Sequence, residues 1–197
     1  MSSSGNLEAD VRLRLFCALR LPSDIVGRLV SWQQTAFADA DVRILPPDHL
    51  HVTLAFLGSR SSSDVEAVAN ALRGVARDAR QPLLRVRRYR ETARVAMLAL
   101  GEELVPGDAY VGRANELAGD LMRRLEKLGV YRRERRGWLP HVTVARFRAQ
   151  PKLSPELPGL GAFSPSEVAL YSSVLLQTGA RYEVLESWSL RNGGPGG

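Results

Sequence analysis

The chain has 197 residues, 45% hydrophobic and 24% charged, a composition that allows one large globular domain or two small lobes sharing a core. Its net charge of +6 fits an anionic partner such as nucleic acid, although all but two of the 27 basic residues are arginine, a bias that GC-rich coding also produces. Cys17 is the only cysteine, which excludes an intrachain disulfide. The opening "MSSSGNLEADVRLRLFCALRLP" lacks the apolar run of a signal peptide or membrane span, so a cytoplasmic protein with no membrane partner is expected.

In chain order, residues 1–10 are small and polar and read as a disordered start. "VRLRLFCAL" (11–19) alternates like a half-buried strand. Pro22 then suits a first helical turn, with apolar residues at 25, 26, 29 and 30. "RILPPDHLHVTLAFLG" (43–58) leads into a strand, and residues 63–78 carry Val65, Val68, Leu72 and Val75 on one helical stripe. "PLLRVRRYR" and "ARVAMLAL" read as two strands. The clearest helical spacing covers 108–128, through Val111, Ala114, Leu117, Leu121, Leu125 and Leu128. "GWLPHVTVARFR", a Pro-rich loop (151–165) and two strands near 166–176 and 180–190 follow, and 191–197 reads as a disordered end. Several strands follow one another directly, so the expected class is α+β with antiparallel sheets in a single domain over 11–190.

One motif occurs twice. "HVTLA" at 51–55 returns as "HVTVA" at 141–145, each after a proline-bearing turn and each opening a strand. This implies two related halves, each giving one strand to a shared cleft. On a strand, residues i and i+2 share a side, so His51 pairs with Thr53 and His141 with Thr143, while Val52, Leu54 and Phe56 are expected to face the core. Two imidazoles and two hydroxyls suit a tetrahedral phosphate. One imidazole takes a proton from an attacking oxygen, the other gives one to the oxygen that leaves, and the hydroxyls bond the non-bridging oxygens. Histidine fits both proton roles because it titrates near neutrality.

The paired motifs and their flanks, "RLFCALRLP", "PDHLHVTLAFLG", "PHVTVARF" and "LYSSVLLQTGARYEVL", resemble the two-histidine phosphoesterase superfamily. Within it the chain is most similar to the bacterial and archaeal RNA 2′,3′-cyclic phosphodiesterases, also called 2′-5′ RNA ligases. The resemblance implies a bilobal fold with a pseudo-two-fold repeat, two antiparallel sheets flanking a central cleft, helices outside, and no metal or cofactor. It implies His51 as proton donor, His141 as proton acceptor, and Thr53 and Thr143 as phosphate ligands. Arg146 matches a family position that contacts substrate, yet strict alternation puts it on the opposite face from His141, so a strand end, twist or bulge must re-aim it. The implied partner is RNA, or a nucleotide, ending in a 2′,3′-cyclic phosphate, hydrolysed to a 2′-phosphomonoester by a monomer, with weak 2′-5′ ligation as the reverse reaction. A relative acting on another cyclic phosphate or a 2′-5′ linkage, and a non-catalytic RNA-binding module, are the alternatives.

A lone histidine in a strand is ordinarily structural, but the repeat sets His51 apart from His49, which has no counterpart before His141 and reads as a rim or turn residue. A metal held by His49 and His51 is the rival, with no carboxylate or cysteine cluster in either motif to complete it. "RVRRYR" (85–90) and "YRRERRG" (131–137) are basic stretches that either guide RNA or are solvated faces. The second is favoured because it runs into the His141 strand. Phe16 is a candidate for the core or the cleft, and Trp32, Trp138 and Trp188 read as packing residues.

Overall fold

The computed structural model describes residues 11–104, 112–176 and 179–192. Strand β1 (Arg12–Arg20) leads into helix α1 (Ser23–Ala36), which starts directly after Pro22. The two-residue strand β2 (Arg43–Ile44) and a 3-10 turn (Pro47–His49) precede β3 (His51–Ser61). Helix α2 (Asp64–Asp78), β4 (Leu84–Glu91), β5 (Val95–Glu102) and α3 (Arg113–Lys127) follow. The chain then gives β6 (His141–Arg146), β7 (Ala162–Phe163), β8 (Glu167–Leu176) and β9 (Gly179–Ser189). Every predicted strand and helix is present. The two-residue strands β2 and β7 are additions, too short to show any periodicity.

The α+β class is as expected, and the nine strands are continuous in the order β7-β4-β5-β6-β3-β1-β8-β9, with β2 beside β6. All pairings between these strands are antiparallel. Two four-stranded halves meet where β3 and β6 touch, through the single pair Val52–Val142. The same motif position thus stands opposite itself in an antiparallel pair, which is what a local two-fold axis requires. Because the strands share one pair and then splay, the two halves form the walls of a cleft.

Helices α2 and α3 pack together over one side of the sheet, burying Val68, Leu72 and Val75 from one and Leu117, Leu121 and Leu125 from the other. Leu128 falls past the last turn of α3 and is exposed, and residues 108–111 of the predicted helix lie outside the described residues. The Glu102 carboxylate caps this helix from the neighbouring strand, accepting the Ala114 N–H at 2.8 Å. Strand β1 is buried on both faces from Leu15 to Leu19, so its alternation does not mark a solvent side. Its Phe16 and Ala18 belong to a second small cluster with Ala169 and Tyr171, on the side away from the main core. Cys17 is fully buried, and burial pushes its thiol up to about 12, which keeps it inert at neutral pH. Of the two ends expected to be disordered, residues 1–10 and 193–197 lie outside the described residues, while Arg191 is bridged to Arg80.

Candidate active site

Each motif strand carries a bulge. In β3, Thr53 stands opposite Ala18 and Ala55 opposite Cys17, leaving Leu54 as an extra residue. In β6, Thr143 stands opposite Met97 and Ala145 opposite Ala96, leaving Val144 extra. Two successive residues then face the core in each copy, Leu54 with Ala55 and Val144 with Ala145, and the alternation reverses beyond them. Phe56, expected in the core, therefore emerges 52% exposed on the side of His51 and Thr53. Arg146 emerges likewise on the side of His141 and Thr143, so the re-aiming that its position demanded is achieved by the bulge. The carbonyl of Val144 accepts the Leu45 N–H at 3.0 Å and the Gln33 side-chain amide at 2.7 Å. Gln33, fully buried in α1, thereby holds the kink in place. An apolar residue followed by alanine at the fourth and fifth positions of both copies is the sequence mark of this broken alternation.

His51, Thr53, His141, Thr143 and Arg146 all line one hollow of about 120 Å³. Larger hollows, of about 620 and 720 Å³, sit against the helices and contain none of these residues. The hollow has two unlike walls. On the β3 side Phe16 lies 5.0 Å from the His51 ring and stacks on Tyr171 at 4.7 Å, with Tyr182 edge-on at 5.0 Å. On the β6 side Arg146 projects with no carboxylate paired to it among the described residues, and Arg43 stands opposite it in β2. Tyr171 and Tyr182 are contributions from the last two strands that sequence reasoning did not single out. Phe16 serves both predicted roles, buried itself yet lining the hollow.

His141 Nδ1 lies 2.9 Å from the Leu139 carbonyl, so Nδ1–H donates there and Nε2 is left for the cleft. The equivalent Nδ1 of His51 is buried without a hydrogen-bond partner. Burial, with smaller contributions from His49 and His141, lowers the His51 pKa to about 4. Burial thus leaves His51 neutral at pH 7. His49 occupies the expected turn but is buried, stacks on Tyr182 at 4.1 Å and sits 3.7 Å from the Asp48 carboxylate. Its own pKa is lowered mainly by burial. Among the described residues no three metal-ligating side chains are grouped. In the basic stretch 131–137, Arg133 pairs with Glu126 and Arg136 with Glu134. Trp138 then packs on the core and donates its indole N–H to the Thr53 carbonyl at 3.0 Å, tying the two motif strands together where their ladder is short.

The buried neutral His51 makes stability pH-dependent. Its pKa is lowered on folding from 6.5 to about 4, so the unfolded chain takes up the proton first as pH falls. No penalty exists above 6.5, it grows below that value, and it is complete below about 4, reaching about 3 kcal/mol. Urea unfolding at pH 7 and pH 4.5 is expected to show this loss in the wild type and much less of it in His51→Gln. An equal loss in both proteins would remove His51 as the source.

The hollow thus gathers two imidazoles, two hydroxyls and the Arg146 guanidinium on two pseudo-symmetric strands of an α+β fold. Known proteins share this fold and much of this sequence. Residues 19–91 match the family model described as LigT-like phosphoesterase. An RNA 2′,3′-cyclic phosphodiesterase of Thermus thermophilus is 31% identical over 198 residues, covering 91% of this chain and 91% of its own. The RNA 2′,3′-cyclic phosphodiesterase of Escherichia coli is 29% identical over 180 residues, covering 90% and 96% respectively. Among solved structures, one from T. thermophilus superposes with a TM-score of 0.75 at 29% identity, over 92% of this chain and all of that one. The apo form of E. coli LigT gives 0.72 at 27% identity, over 91% and 98%. The chain belongs to the LigT-like phosphoesterase family.

Proposed function

We propose that this chain is an RNA 2′,3′-cyclic phosphodiesterase that opens terminal cyclic phosphates to 2′-phosphomonoesters. The observation that carries the reading is the meeting of the two His-x-Thr strands at Val52–Val142, with both histidines, both threonines and Arg146 around one hollow. Relatives matched along nearly their whole length carry that activity in their names.

In the proposed reaction His141 Nε2 takes a proton from water, which attacks phosphorus in line with the 3′ oxygen. The P–O3′ bond breaks, His51 gives its proton to that oxygen, and the 2′ ester bond remains. Thr53 and Thr143 donate hydrogen bonds to the non-bridging oxygens, and Arg146 offsets the charge that builds there. His51 must first be protonated, and the negative charge of the bound phosphate opposes the burial that keeps it neutral. Every step uses side chains of one chain, so a monomer suffices. With a 5′-hydroxyl in place of water as the attacking group, the same displacement of the 3′ oxygen joins two RNA ends through a 2′-5′ bond. No helix among the described residues is long and apolar enough to cross a membrane.

Complete digestion of 2′,3′-cyclic mononucleotides, followed by separation of 2′- from 3′-monophosphates, tests the reading. A 2′-phosphate product is expected. A 3′-phosphate product would reverse the assignment of the two histidines, because the donor must stand behind the oxygen that leaves. Turnover only of another cyclic phosphate or of a 2′-5′ linkage would move the activity within the superfamily, and RNA binding without turnover would leave a binding module.

A further inference from the structure

Strand β4 carries Arg85, Arg87, Arg88 and Arg90; its register puts Arg85, Arg88 and Arg90, opposite Gly101, Ala99 and Met97, on one face and leaves Arg87 as the extra residue of a bulge. Arg88 stands opposite Ala99, which stands opposite His141. Arg90 stands opposite Met97, which stands opposite Thr143. Residues directly opposite in an antiparallel ladder project from the same side of the sheet. Arg88 and Arg90 therefore share the face of the His141 motif, two strand spacings or about 10 Å away. The intervening Tyr89 stands opposite Leu98 and packs against the main core on the other face.

Ion pairing separates the same residues. Arg85 and Arg87 both reach the Glu103 carboxylate, and Arg87 also donates to the Glu102 carbonyl at 3.2 Å. Arg88 and Arg90 are exposed and make no ion pair or hydrogen bond among the described residues. Two like charges set side by side with no counter-charge are unfavourable unless an anion lies against them. Their edge of β4 is also open, since β7 pairs only with Leu84 and Arg85. There Arg88, Arg90, Glu91 and Leu157 border a hollow of about 350 Å³, the Glu91 carboxylate being taken up by the Tyr89 hydroxyl and the Lys152 and Leu153 N–H groups.

We propose that this face, running from His141 and Thr143 across β5 to Arg90 and Arg88, is the path of the RNA strand 5′ to the cyclic end. The proposal rests on the function above, because the strand must leave the hollow that holds its terminal phosphate. The backbone phosphates lie against Arg90 and Arg88, and the half-buried Met97 forms an apolar floor between them and the hollow. RNA is the occupant because the free charges lie on the same sheet face as a pocket shaped for an RNA end. The enzyme then prefers oligoribonucleotides to cyclic mononucleotides, which do not reach the track.

The test compares wild type with the double variant Arg88→Ala/Arg90→Ala, and uses Arg85→Ala/Arg87→Ala and Arg132→Ala/Arg135→Ala as controls. Binding is read by fluorescence anisotropy of a labelled octaribonucleotide ending in a 2′-phosphate, and turnover with a cyclic mononucleotide and a cyclic-ended octaribonucleotide. The track variant is expected to bind the octamer about tenfold more weakly, and its log–log salt slope should fall by about 1.4, from two lost single-strand phosphate contacts. KM for the cyclic-ended octamer should rise in step, with kcat and mononucleotide turnover retained. Unchanged octamer binding, an equal loss on the mononucleotide, or a loss confined to the 132/135 variant would each overturn the path. If the wild type turns over no cyclic phosphate, the proposed function fails, while the anisotropy series still decides whether Arg88 and Arg90 hold RNA.

Discussion

Alanine in place of His51 or His141 is expected to lower kcat by at least about 10²-fold, the scale of a lost general acid or base. Each is an independent proton carrier in the proposed mechanism, yet the two act on one transfer from the attacking to the leaving oxygen. The double variant is therefore expected to be little worse than the weaker single one. Folding should survive, since both rings face the hollow rather than the main core. His51→Ala also removes a buried ring nitrogen that has no partner, so its thermal stability near pH 7 should change little compared with its activity. Full activity in either single variant, measured on a cyclic mononucleotide, would remove the two-histidine mechanism. His49→Ala separates the neighbours: it loses the stack on Tyr182 but no proton transfer, and kcat should fall far less than in His51→Ala.

The second large effect is expected at Arg146. It supplies an exposed guanidinium with no competing carboxylate among the described residues, lining the hollow, and a charged hydrogen bond to phosphate is among the strong ones. Arg146→Ala should lower kcat/KM by about 10²-fold on cyclic mononucleotides and oligomers alike. That equal loss distinguishes it from the β4 arginines. Arg146→Lys should recover only part of the loss, because an ammonium cannot span two phosphate oxygens as the planar fork does. The aim of Arg146 depends on the bulge at Val144, whose carbonyl Gln33 holds from α1. Gln33→Leu is therefore expected to yield a smaller loss that is non-additive with Arg146→Ala. Strict additivity would mean that the bulge stands without Gln33.

Much of this was legible before the fold. Periodicity marked every long strand and helix, because a half-buried element leaves its period in the chain. The recurrence of "HVT" placed His51, Thr53, His141 and Thr143, since a two-residue period alone decides that i and i+2 share a side. It also exposed the conflict at Arg146. The same rule misplaced Phe56 by assuming an unbroken ladder. A bulge depends on which strand lies alongside and in what register, and that information sits in β1 and β5 rather than in the motif.

The sequence alone determined the chemical groups of the site, their two-fold repetition and the strands that carry them, because these are properties of short stretches. Only the tertiary structure decided how the halves meet, through a single Val52–Val142 pair reinforced by the Trp138 indole. It also decided that Tyr171 and Tyr182 from the last strands wall the His51 side, and that Arg88 and Arg90 share a face with His141 and stay unpaired among the described residues while Arg85 and Arg87 share the Glu103 carboxylate. These are contacts between segments far apart in the chain. Local pattern carries no trace of them, because the register of each strand is set by its neighbours in the sheet.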